Sequence, residues 1–178
     1  MVARTGVSIQ EFVEIVENNP DKHFDLTAEG EIIEDSPNLI HGMIQARIAF
    51  YLGVWMDTNT LPDYVVATEV AHELDGWPCR PDVSINRTDD EQIPKVAPLL
   101  AVEIKSDSNT YSDLRAKAHQ YIARGSKMVW LVYPEKQLVE VYQPNADDQI
   151  LTTTDTLEGG TALLGFSVAI RELLAQGK

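Results

Sequence analysis

Two short stretches of this chain carry residues whose types and spacing could do chemistry. "RPDVSI" (80–85) sets Asp82 inside an apolar segment, and "LLAVEIKSDS" (99–108) runs an apolar strand into Glu103 and Lys105. In an extended strand residues two apart point to the same side, so Glu103 and Lys105 should share one face and Val102 and Ile104 the other. If the two strands are neighbours, two carboxylates and an ammonium converge on a small volume. Ionised groups enter an interior only when paired, hydrated or metal-bound. Two carboxylates with a backbone carbonyl, that of Ile104, suit a hard divalent cation: Mg²⁺ commonly uses one or two carboxylates and keeps several waters, with Mn²⁺ as a plausible substitute. Such an ion lowers the pKa of a bound water and stabilises charge on a phosphodiester. An adjacent lysine orients that water and offsets transition-state charge. The plainer reading is a strand emerging into water with a surface ion pair of little energetic weight.

The elements that must position these residues follow from periodicity. Ser8 and Glu11 form a capping box ahead of Ile9, Phe12, Val13 and Val16 at helical spacing. "HFDLTAEGEIIEDSP" reads as a β-hairpin around an acidic Gly turn. A longer helix is expected after Pro37, from about 39 to 56, and "DYVVATEVAHEL" as one or two strands. The "RPDVSI" and "LLAVEIK" strands are separated by the acidic loop "NRTDDEQIPKVA". A helix from about Tyr111 to Arg124 ends at Gly125, "KMVWLVYP" and "QLVEVYQP" form a strand pair, and a closing helix is expected from about Val168. The pattern is a mixed sheet flanked by helices, α/β in the α+β sense, in a single domain over 1–178.

The net charge of −14 argues against a general nucleic-acid-binding surface, since polyanions repel at long range. It does not exclude a local site carrying divalent cations. Five of the 14 Lys and Arg residues (Lys105, Arg115, Lys117, Arg124 and Lys127) lie between positions 105 and 127, where an acidic chain could offer phosphates a favourable field. With Arg80, the residues Arg115, Arg124 and Lys127 are the candidate nucleic-acid contacts. The N-terminus has no continuous apolar run of the secretory kind and no window suits a bilayer span, so no membrane is expected. The lone Cys79 fits a reduced, cytoplasmic setting.

Pro81-Asp82 followed by Glu103-Ile104-Lys105 matches the signature of the PD-(D/E)XK nuclease superfamily. The surrounding segments "EGEIIEDSP…H", "RPDVSI", "LLAVEIKSDS…SDLRAKAHQY", "ARGSKMVWLVYP" and "LVEVYQP" together resemble the Uma-two family of putative restriction endonucleases, from about Phe24 to Leu174. The family pattern falls here on Glu103, Ser106, Asp113, Lys117, Tyr121, Gly125 and Trp130. Lys105 is present where many relatives lack a lysine, and "LVYP" stands where "LVDP" is typical.

The resemblance implies a restriction-endonuclease-like fold with Asp82 and Glu103 as metal ligands and Lys105 as the catalytic lysine. Lys117 would reach the site from its helix, or lie exposed and paired with Asp113 at i,i+4. An upstream acid would complete the site, with Glu31 as first candidate and Glu34 as second. His41 and Tyr121 would line the pocket, although His41 could equally be a satisfied helix residue. His72 reads as an edge-strand polar residue. The implied activity is Mg²⁺-dependent hydrolysis of DNA phosphodiester bonds by a homodimer. Its alternatives are a catalytically silent nuclease-fold assembly protein, or a nuclease acting on RNA or on single-stranded or branched DNA.

Overall fold

The computed structural model describes residues 6–35, 38–59, 61–89 and 91–175. Pro37, expected ahead of the long helix, and Asp90, in the acidic loop, lie outside them. A six-stranded mixed sheet organises the fold. In chain order its strands are β3 (Tyr64–Thr68), β6 (Val83–Arg87), β7 (Leu100–Ile104), β8 (Met128–Tyr133), β9 (Leu138–Tyr142) and β10 (Gln149–Thr152). They lie side by side in the spatial order β10-β9-β8-β7-β6-β3. All neighbours are antiparallel except β7 and β8, which run parallel and are joined by helix α3 (Tyr111–Ala123). A parallel pair needs such a crossover, and Gly125 at φ 117° ends it just past the helix.

Alternation along the strands divides the core. Leu100, Val102 and Ile104 of β7 and Met128, Trp130 and Val132 of β8 face helix α2 (Leu39–Thr58) and the short α4 (Ile170–Leu174). Ala101, Val129, Leu131 and Tyr133 face α3 through Leu114, Ala118 and Tyr121. Glu103 shares the parity of Ala101, so the pleat points it at α3. The α2 packing residues Ile44, Ile48 and Leu52 recur every four positions and are buried.

The N-terminal elements make a third cluster. Helix α1 (Ile9–Asn18) begins at the expected capping box, with Glu11 Oε2 2.7 Å from the Ser8 amide. Its Ile9 and Phe12 pack on Phe24 and Leu26 of the hairpin strand β1 (His23–Leu26), which pairs with β2 (Ile32–Asp35). Strands β4 (His72–Leu74) and β5 (Trp77–Cys79) form a second hairpin, and β11 (Thr156–Glu158) pairs with β12 (Ser167–Ala169). The mixed sheet with flanking helices is the architecture the periodicity predicts. His72 differs from its expectation: it is fully buried, with Nδ1 2.8 Å from the Val70 carbonyl and Nε2 2.8 Å from Asn86 Oδ1. The closing helix is shorter than expected because β12 uses Val168.

The long helix supplies the largest single apolar contribution to one face of the sheet. Ile48→Ala, at a side chain 1% exposed, should therefore lower unfolding free energy by about 2–5 kcal/mol in urea titration. A loss under about 0.5 kcal/mol would contradict this packing.

Candidate active site

Strands β6 and β7 are neighbours, with Val83 opposite Val102. Beyond that pair the ladder stops, and the Asp82 side chain takes over: its Oδ2 accepts from the Ile104 amide at 2.6 Å. A carboxylate thus caps an edge amide that the strand backbone leaves unpaired. Its other oxygen lies 3.3 Å from Nε2 of His41, which is buried in the first turn of α2. Burial pulls the His41 pKa down, but the hydrogen bond and charge of Asp82, with Asp35 and Glu69 behind, outweigh it and leave the pKa raised.

Glu103, 2% exposed, is held from α3. Its Oε2 accepts from Lys117 Nζ at 2.9 Å and its Oε1 from the Tyr121 hydroxyl at 2.9 Å. Residues 117 and 121 are one helical turn apart, so both reach the same carboxylate. Lys117 is itself fully buried and also donates to Asp25 of β1, at 3.1 and 3.3 Å. Two carboxylates hold its charge and push its pKa upward against the pull of burial. Glu103 is pushed up to about 8: burial is the main cause, the charges of Asp25 and Asp82 add to it, and Lys117 opposes. Lys117 is thus held between two carboxylates, and the charge of Asp82 acts on Glu103 from the neighbouring strand.

Glu69 extends the acidic wall. It stands just after β3 at φ 58°, a left-handed conformation uncommon for a glutamate, and its amide donates to the Asp82 carbonyl at 3.3 Å. Gln45 of α2 donates to both Glu69 Oε1 and the Asp82 carbonyl, at 3.0 and 3.1 Å. Arg80 lies 3.3 Å from Glu69. Burial and the Asp82 charge raise the Glu69 pKa against Arg80, His23 and Gln45.

Of the anticipated site residues, Asp82, Glu103, Lys117, Tyr121 and His41 come together around the end of β7. Lys105 falls one residue past the strand, so the period of two no longer governs it. Its Nζ donates to the Ser106 carbonyl and lies 5.6 Å from the Tyr111 ring centroid. With His41, Ser106 and Asp107 it lines a cavity of about 110 Å³. Glu31 is exposed, and Glu34 is an exposed partner of Lys22 at 2.6 Å. The hairpin acid that reaches the cluster is Asp25, whose position between Phe24 and Leu26 turns it away from the α1 contact. Lys117 is not paired with Asp113, which accepts from the Ala28 amide instead.

The candidate nucleic-acid contacts are mostly engaged within the chain. Arg80 donates to the Phe24 carbonyl and Arg124 to the Leu74 carbonyl. Arg115 makes a two-point contact with Glu140. Lys127 is exposed, beside a separate cavity of about 640 Å³. Each of the three tryptophans is at most 8% exposed and packs in the interior.

The donors fit a hard divalent cation. Asp82 and Glu103 would offer oxygen donors, and their engaged oxygens each retain a lone pair. Among the described residues no group of three or more His, Cys, Asp or Glu closes on one point. A two-carboxylate site completed by water is the form that suits Mg²⁺. Among the described residues no helix is long and apolar enough to cross a membrane.

Comparison with known proteins identifies the family and the fold. The sequence model of the Uma2 family, described as "Putative restriction endonuclease", matches residues 9–171. The crystal structure of a putative nuclease belonging to DUF820 from Anabaena variabilis ATCC 29413 superposes with a TM-score of 0.79 at 20% identity, covering 94% of this chain and 97% of that one. It shows the fold to be shared. A DrdV–DNA complex matches at a TM-score of 0.37 and 15% identity, over 78% of this chain and 13% of that one. No curated protein matches.

Lys117→Met would leave Asp25 and Glu103 facing each other unpaired and should cost about 3–5 kcal/mol in denaturant titration. Adding Glu103→Gln should return part of that loss, and strict additivity of the two changes would contradict the ion pair. Glu103 also sets a pH dependence. Its folded pKa of about 8 lies above the roughly 4.3 of an unfolded glutamate, so between those values the folded chain binds more protons. Its contribution to metal-free stability therefore falls as pH rises from about 5 to about 8. Glu103→Gln should flatten that slope, and an unchanged slope would contradict the assignment.

Proposed function

This chain belongs to the Uma2 family of putative restriction endonucleases, and on that premise we propose that it is a divalent-metal-dependent endonuclease that hydrolyses DNA phosphodiester bonds. One observation carries the reading: Asp82 and Glu103, from adjacent strands, stand close enough at the end of the β6–β7 ladder for the charge of one to act on the other. Asp82, Glu103 and the Ile104 carbonyl would hold Mg²⁺, with Mn²⁺ as its substitute. When bound, the ion supplies Lewis acidity toward a phosphate and lowers the pKa of a coordinated water.

The chain's own residues do the rest. Tyr121 and Lys117 fix both oxygens of Glu103, so the carboxylate meets substrate without reorganising. The Ile104 amide and His41 fix Asp82 in the same way. Lys117 is wholly buried and acts by balancing charge on Glu103. Lys105 is half-buried at the rim of the His41 cavity, and its ammonium is the cation placed to meet a phosphate. Glu31 and Glu34 would act only through the outer hairpin, and Asp25 takes the place proposed for them. Lys127 with any freed arginine would track the backbone from outside. Cleavage of RNA or of single-stranded or branched DNA would use the same groups.

A second reading, a nuclease fold that assembles without cutting, is favoured by the same buried geometry. Glu103 has both oxygens engaged, and three of the four basic candidates are bonded within a chain of net charge −14. Nicking of a supercoiled plasmid in Mg²⁺ separates the two. The endonuclease reading predicts activity in the wild type that falls about a hundredfold or more in Asp82→Asn and Glu103→Gln. It predicts a smaller fall in Lys105→Ala. No cleavage by the wild type, or equal cleavage by all four proteins, would favour the silent reading.

A further inference from the structure

Helix α2 has an apolar face that no other element covers among the described residues. Of the seven exposed large apolar side chains among the described residues, Leu39 (86%), Phe50 (64%) and Val54 (48%) lie on this one helix. At 3.6 residues per turn they share an arc of about 120° with Gly42, Ala46 and Gly53, opposite the Ile44, Ile48 and Leu52 face that packs on the sheet. Two of these residues are mid-helix glycines, which weaken a helix. Neither has a positive φ, and a Cβ added at either would meet nothing within 4 Å among the described residues. Packing within one copy therefore gives no reason for them.

We infer that this face is a two-fold interface on which α2 packs antiparallel against α2 of a second copy. The order of sizes along the helix is self-complementary about Ala46. A two-fold axis there sets Phe50 of one copy over Gly42 of the other, Leu39 over Gly53, and Ala46 against itself. The two largest exposed side chains each meet a glycine, the knob-and-gap arrangement that lets two helices approach closely, and Val54 falls opposite Asn38. No other class of partner is needed to explain the pattern, because the helix supplies both halves of it.

Charge favours the same pairing. Copies of a chain of net charge −14 repel, and this face carries no charged residue from Leu39 to Val54. Asp57 is exposed on the same line as Leu39, in a last turn that holds no basic residue, while the first turn of α2 holds no acidic one. An acid at its own helix C-terminus is unfavourable. The same register sets Asp57 about one helical turn beyond Leu39 of the second copy, off the N-terminal end of its α2, where a negative charge is favoured.

The pairing has a consequence for the proposed endonuclease, and only this consequence rests on that reading. His41 lies five positions from the axis, so the two sites stand about 15 Å apart along the helix axis and are related by a dyad. A DNA duplex has the same symmetry.

Sedimentation and light scattering of the full chain test the interface without reference to cleavage. The wild type should show the mass of a dimer. Phe50→Glu should halve that mass with an unchanged circular dichroism spectrum. The size swap Gly42→Phe with Phe50→Gly keeps the large-to-small pairing and should restore the dimer. Ala46→Cys lies on the axis and should form a disulfide between copies on oxidation, which the buried Cys79 cannot do. A monomeric wild type or a dimeric Phe50→Glu overturns the inference. So does a folded size swap that stays monomeric, or an Ala46→Cys protein that does not cross-link.

Discussion

A single buried ammonium holds this site together. Lys117 stands between Asp25 of the N-terminal hairpin and Glu103 of the central sheet, fully removed from water. A lone ion in that position would be untenable, and so would either carboxylate without it. The charge therefore ties three separate elements, β1, β7 and α3, into one arrangement. Tyr121 completes it from one turn further along α3 by taking the second oxygen of Glu103. Breaking the ion pair would loosen both the seat of the hairpin and the aim of Glu103.

Other carboxylates stand beside this pair. Asp82 adds a further carboxylate across the strand, and Glu69 another behind it, held by a strained backbone and by Gln45. The protein thus concentrates negative charge at the one place where the β6–β7 ladder ends. Glu69 is met by Arg80 and Asp82 by His41, so these carboxylates are braced within the chain. The arginines that could have drawn a polyanion are instead used as internal braces, Arg115 on Glu140 and Arg124 on the Leu74 carbonyl. Under the proposed function, approach of DNA to so acidic a chain would depend on cations brought from solution and on local contacts such as Lys105 and Lys127.

Much of this was legible in the residues. Strand period two placed Glu103 on the face opposite Val102 and Ile104, and the capping box, the α3 helix and the β7–β8 segments fall where local patterns put them. The same rule failed for Lys105 because the strand ends at Ile104, and side-chain direction past a strand end is set by the following turn. Asp25 and Glu69 went unseen because hairpin docking against α3 and the turn after β3 are long-range events. Alternation in "HFDLT" carried a signal for Asp25, which lies between two core residues. His72 reads as a surface strand residue in the sequence and is buried because Asn86, on a different strand, supplies its partner.

Calorimetric titration of Mn²⁺ tests the metal site most directly. The account predicts one ion bound per wild-type chain, with binding lost in both Asp82→Asn and Glu103→Gln and retained in Lys105→Ala. Absence of binding by the wild type, or equal binding in the two carboxylate variants, would contradict it.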